Sequence, residues 1–200
     1  MAYNQFSLDD VKQKLGVVVR ETVDLYASVP PVAPSAALVE QLRENVPLAL
    51  AIGTEKARSE FIIAPVLLEV RRRRAGVVSL FSGTEFTVDP ARGLVGFCDW
   101  LLARSPEQLT VEAPVVAVVE AKNENMRAGI AQCLAELVAA RVFNAARKHP
   151  VPVVHGAVTT GDLWRFLRLD DTGAEVDLSQ HPIQHVDRIL GVLLSMTTGE

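Results

Sequence analysis

Residues 115–122, Val-Val-Ala-Val-Val-Glu-Ala-Lys, constrain this chain more than any other stretch. A run of small and β-branched apolar residues bounded by Pro114 fits a central strand covered on both faces. Such a strand implies neighbours in a sheet and helices above and below it, so the expected class is α/β. The run ends in a carboxylate and an amine, and strand alternation points Glu120 and Lys122 to the same side, at the mouth of a core. Composition alone yields roughly one acid-x-Lys triplet in a chain of this length. Asp10-Val-Lys12 is a case of that kind, because in a polar, helix-like stretch its two side chains diverge into water.

At 200 residues, 49% of them hydrophobic, the chain can bury one substantial core. No apolar run approaches the ~20 residues needed to cross a bilayer. The start, Met-Ala-Tyr-Asn-Gln-Phe, lacks a basic segment followed by an apolar one, so a cytoplasmic protein without a membrane partner is expected. Cys98 and Cys133 are too few for a disulfide framework and lack metal-site spacing; they read as buried thiols. A net charge of −4 argues against coating nucleic acid through a diffuse positive field and leaves room for a local basic patch.

Along the chain, Ser7-Leu-Asp-Asp10 is a capping box for a short helix that Gly16 can close. Residues 17–19 and 23–26 fit strand or helix, and Val29-Pro-Pro-Val-Ala-Pro34 reads as a stiff linker, making 1–34 a small N-terminal appendage to a domain over 35–200. Ser35 caps a helix expected to reach about Asn45, followed by an apolar connector over 47–52. Thr54 caps the next helix, 55–74, whose Ile63, Val66, Leu67 and Val70 face the core, with Glu60 on the edge of that stripe. Pro65 should kink or split it. Its end, Arg71, Arg72, Arg73 and Arg74, is either a solvated helix end complementing the helix dipole or a phosphate-contacting patch.

Residues 77–81 and 85–88 read as strand around a Ser82-Gly83-Thr84 turn, and 89–93 as a second turn. In the next strand, 94–102, Asp99 is the only charge; it is expected to share a face with Phe97 and Leu101 and to need a cation beside it. After 115–122 come a polar turn, a long helix over 126–148 with Gln132 near its start, and strands over 151–158 and 163–169 joined by Thr159-Thr-Gly-Asp162. Residues 182–196 close the chain as an amphipathic helix. His181 and His185 are four apart but lack an accompanying carboxylate motif, and they read as structural.

The order helix, three strands, helix, two strands, with Glu60 on the first helix, Asp99 on the second strand and Glu120-Ala-Lys122 ending the third, resembles the PD-(D/E)XK nuclease superfamily over roughly residues 54–170. The resemblance implies a restriction-endonuclease-like αβββαββ core, a central mixed sheet flanked by helices. It implies a metal-dependent nuclease in which Asp99, Glu120, Lys122, Glu60 and Gln132 form the catalytic set. Asp99, Glu120, Glu60 and the Ala121 backbone carbonyl would hold Mg²⁺ or Mn²⁺. Nucleic acid, DNA more than RNA, is the implied partner, and a homodimer is compatible with it. No Pro precedes Asp99, and no Tyr follows Gln132 at the spacing some recombination nucleases show.

The residue types suit that chemistry on their own terms. Carboxylates are hard oxygen ligands for Mg²⁺, and a lysine beside them can orient water or stabilise charge developing on a phosphate. A nuclease fold that serves as a noncatalytic interaction or structural protein is the alternative, favoured by the acidic balance. Phosphate-binding Gly loops, a Gly-x-Ser-x-Gly elbow and a Cys/His nucleophile pattern do not occur.

Overall fold

The computed structural model describes residues 1–198. Its centre is β4, Val115–Ala121, buried at every position. β3 (Phe97–Ala103) pairs with it antiparallel and β5 (Val154–Thr159) parallel. A parallel step requires a crossover, and α5 (Met126–Ala146) supplies it, capped by the Asn125 side chain on the Ala128 amide. Glycine lets this helix lie close to the sheet: a Cβ on Gly129 would sit 2.6 Å from Val158 Cγ1 and 2.9 Å from Lys122 Cγ.

The full sheet is mixed and has eight strands. Its order is β1 (Val19–Thr22), β7 (Gly173–Asp177), β6 (Leu163–Asp170), β5, β4, β3 and β2 (Ser79–Glu85), with the short β8 (His181–Pro182) also on β6. Besides β4 with β5, only β1 with β7 is parallel among these named pairs. Helices cover both faces. On one, α5 packs Leu134, Leu137 and Ala139 with Tyr3, Phe6 and Val11 from the N-terminal segment, which includes α1 (Leu8–Lys14). On the other, Leu38, Ile63, Leu67 and Leu190 come from α2 (Ala36–Ile52), the helix over residues 55–73 and α6 (Val186–Ser195), and they meet Trp164 and Phe166 of β6. No helix among the described residues is long and apolar enough to cross a membrane.

The capping signals act as expected. Ser7, Ser35 and Thr54 each accept from the third helical amide, and Gly53 ends α2 at φ 71°. Five expectations are corrected. α2 continues through Pro47 to Ile52, because the exposed proline costs one backbone bond while Leu38, Leu42 and Ala49 hold the helix against the core. Pro65 does not split its helix, which runs on through it. α3 (Glu55–Arg58) passes through a π turn at Ser59–Ile63 into α4 (Ala64–Arg73), and Asn45 donates to the Phe61 carbonyl that Pro65 cannot serve, at 3.0 Å.

Ser82-Gly83-Thr84 is not a turn: β2 runs straight through Gly83, at φ 58°, and the hairpin to β3 closes instead at residues 89–93. The first 34 residues are built into the fold rather than appended to it. β1 pairs with β7, a strand the local pattern did not reveal, and Gly173 is needed there because a Cβ would lie 2.4 Å from the Val18 carbonyl oxygen. The closing helix also starts later than expected, after a 3₁₀ turn at Ile183–His185.

Candidate active site

Asp99 and Glu120 approach one another where β3 and β4 end. The last pairing between these strands is Trp100 with Val119, and beyond it the Asp99 side chain replaces the ladder, its Oδ2 accepting from the Ala121 amide at 2.8 Å. The expected alternation fails here. Cys98 packs into the α5-side cluster with Leu101, whereas Trp100 packs on the opposite side. Cys98 and Leu101 are three positions apart and share a side, so the strand changes phase at Asp99, across from the positive-φ Gly83 of β2. That irregularity turns Asp99 away from a purely structural position and into an open cavity of about 270 Å³, lined also by Glu55, Lys56, Glu60, Trp100 and Ala121.

Glu120 is 1% exposed. Its Oε1 accepts from Lys122 Nζ, and its Oε2, also buried, has no hydrogen-bond partner. Burial and then the Asp99 charge push its pKa up to about 8, with Lys122 pulling the other way. For Lys122, burial works against the ammonium, but Glu120, Asp99 and Glu55 outweigh it and hold the amine above the ordinary lysine range. The Lys122 amide bonds the Thr159 carbonyl at 2.8 Å, so its backbone is set by β5.

One member of the cluster escaped sequence reasoning. Glu136 of α5 is fully buried, and its Oε1 accepts from Gln132 Nε2 at 3.1 Å while Oε2 has no partner. Burial, then Glu120 and Asp99, drive its pKa far up. The signal was present: between Arg127 and Arg141 it is the only charged residue of a helix that otherwise reads as core. The hydrogen bond of Gln132 therefore goes to Glu136 and not to Lys122. Cys98 and Cys133 are buried as expected, and burial pushes both thiols up, away from reactivity.

Glu60 reaches the rim of the Asp99 cavity but stays 55% exposed, with Lys56 3.7 Å away. Among the described residues, no group of three or more His, Cys, Asp or Glu side chains is arranged around a metal position; Asp99 and Glu120 form a pair, with Glu60 outside it. Ala121 lies in the same cavity wall.

The four arginines are braces. Arg72 and Arg73 bind the buried Glu69, Arg73 also bonds the Ala33 carbonyl, Arg74 bonds Thr197 and the Leu194 carbonyl, and Arg71 bonds Gln108. His181 and His185 do not form a pair of ligands. His181 is buried beside Asp177, and burial lowers its pKa, while His185 precedes α6. No protein-family model and no curated protein matches this chain.

Proposed function

We propose that the chain is a divalent-cation-dependent phosphodiesterase of the PD-(D/E)XK type, with the restriction-endonuclease-like core of that superfamily, hydrolysing nucleic acid and DNA in preference to RNA. What supports the reading most is the meeting of Asp99 and Glu120 at the ends of adjacent strands with Lys122 bonded to Glu120. The succession of α3–α4, β2, β3, β4, α5, β5 and β6 is in keeping with it.

The residues fit Mg²⁺ or Mn²⁺. Mg²⁺ is commonly held by one or two carboxylates plus substrate phosphate, and Glu120 keeps a buried oxygen without a partner next to a second acid that repels it. Asp99, Glu120 and the Ala121 carbonyl would hold the ion, with Glu60 at the rim. When bound, it supplies charge neutralisation at the phosphate and a lower pKa for water.

The chain's own groups do the rest. The Ala121 amide fixes Asp99 through Oδ2. Lys122 keeps its proton and offers a fixed positive charge where negative charge grows on the phosphate oxygens during attack by water. Gln132 holds Glu136 behind Glu120, and the buried strand ends keep bulk water away from the acids.

A noncatalytic interaction role is the second reading, favoured by the Lys122–Glu120 ion pair being closed already. Cleavage of labelled DNA and RNA with Mg²⁺ or Mn²⁺ separates the two. Wild type is expected to cleave, and Lys122→Ala to slow cleavage by roughly 10² or more while cation binding persists. A Lys122→Ala variant as fast as wild type, or a wild type inert with every cation, puts the interaction role in its place.

A further inference from the structure

Resting on the phosphodiesterase reading, we infer that the substrate of this site is an unpaired nucleic-acid strand and not a duplex. Affinity for duplex comes mostly from lysines and arginines free to neutralise phosphates. Near the acids such groups are scarce. Arg58 is committed to the Thr160 carbonyl and Asp162 and is 15% exposed on its side chain. Lys122 is committed to Glu120.

The arginine quartet is spent on Glu69, backbone carbonyls and neighbouring side chains. It also stands at the far end of the helix: Arg72 is 12 residues beyond Glu60, roughly 18 Å at 1.5 Å per residue. What remains around the opening is Lys56 on the cavity wall and Arg127 just after the turn that follows Lys122, both exposed, and the half-buried Arg165 of β6, which shares a cross-strand row with Val158 and Glu120 and whose Nε has no partner; they are set against the exposed Glu60 and Glu124. A duplex meeting that rim gains little counter-ion release, because two cations are exposed there and the third is half-buried.

Shape points the same way. The cavity at Asp99 holds about 270 Å³, near the roughly 300 Å³ lower limit of small-ligand sites, and Glu120 behind it is 1% exposed. A phosphate on a flexible strand can be drawn into such a recess, whereas a phosphate on a stiff paired backbone is held outside it. Trp100 lines the recess, with its indole N–H bonded to Ser59 Oγ at 3.2 Å.

The test uses the full chain with Mg²⁺ or Mn²⁺ and three substrates: a labelled single strand, the same strand annealed to its complement, and bis-p-nitrophenyl phosphate. The single strand is expected to be cleaved at least about tenfold faster than the duplex. Anisotropy of the labelled single strand in EDTA gives a second readout: with three available cations, Lys56, Arg127 and Arg165, log affinity against log salt should have a slope of about −2.1. Equal rates on single strand and duplex overturn the inference, as does a slope steeper than about −4, which would require a basic track of six contacts. Hydrolysis of the small diester without cleavage of either nucleic acid also overturns it, and with it nucleic acid as the substrate, while leaving phosphodiester chemistry at this site. Failure on all three substrates removes the phosphodiesterase reading itself.

Discussion

Glu69 and Glu136 are both helical glutamates shut away from solvent, and their surroundings differ in kind. Glu69 of α4 receives the Ser35 amide and hydroxyl and the guanidinium groups of Arg72 and Arg73. Burial pushes its pKa up, but Arg73 and Ser35 outweigh that and keep it below the ordinary range. Glu136 of α5 receives one neutral amide, from Gln132, and faces Glu120 and Asp99 instead of cations. A fold that can give one buried carboxylate four donors does not leave two others with orphaned oxygens for lack of means. Buried polar groups are normally paired, and uncompensated acids gathered in one place are what the proposed cation site requires.

The first prediction tests the satisfied half of that contrast. Glu69→Ala leaves two arginines and the Ser35 amide without their acceptor. Breaking a buried ion pair typically costs about 3–5 kcal/mol. Because the Arg72 side chain is 64% exposed, the loss in a urea titration should be nearer 2–3 kcal/mol. Phosphodiester cleavage should be unchanged; a variant as stable as wild type erases the contrast.

The second prediction concerns pH, where the two regions should run in opposite directions. Glu120 titrates near 8 in the folded state because burial and Asp99 disfavour its charge, against about 4.3 when unfolded. Between those values the native state holds a proton that the unfolded chain has lost, so stability falls as pH rises. Glu69, depressed instead, stabilises fully above the unfolded value and loses that contribution as pH drops through its folded one. Relative to Glu120→Gln, wild type should lose on the order of 3 kcal/mol between pH 5 and 8. Taking the difference cancels His155, whose pKa burial lowers to about 4, so that its own contribution fades as pH falls below about 6.5. Parallel stability curves for the two proteins would count against the uncompensated cluster.

A divalent cation should relieve the same repulsion. At about 100 times its dissociation constant it should add roughly 2.7 kcal/mol to wild type, with Asp99→Asn gaining much less. Melts in Mg²⁺ and EDTA that coincide would leave the acids without a cation to share.

The smallest effect is expected at Gly129. Alanine there favours the helix by about 1 kcal/mol, but its Cβ meets Val158 and the Lys122 stem at 2.6 and 2.9 Å, and overpacking costs roughly 1–3 kcal/mol. Gly129→Ala should therefore lose about 1 kcal/mol and slow cleavage through a displaced Lys122. A variant with unaltered cleavage would show that the stem has slack.

Local chemistry was legible in the amino-acid sequence. The caps at Ser7, Ser35 and Thr54, the turn at residues 89–93, the β5–β6 hairpin and the buried run of β4 each depend on residues within a few positions of one another. So does the pairing of Glu120 with Lys122, two residues apart on a strand. Only tertiary structure decided the rest, because its causes lie far along the chain. β1 and β7 are strands because each is the other's partner, and β2 passes through Gly83 because β3 pairs on both sides of it. Arg72 and Arg73 are braces because Glu69 lies beneath them with Ser35, 34 residues away, on the same carboxylate. Glu136 belongs with Asp99 and Glu120 because α5 crosses the sheet where β3 loses its alternation. The energy of a buried charge depends on what surrounds it in space, and a linear pattern records only what surrounds it in sequence.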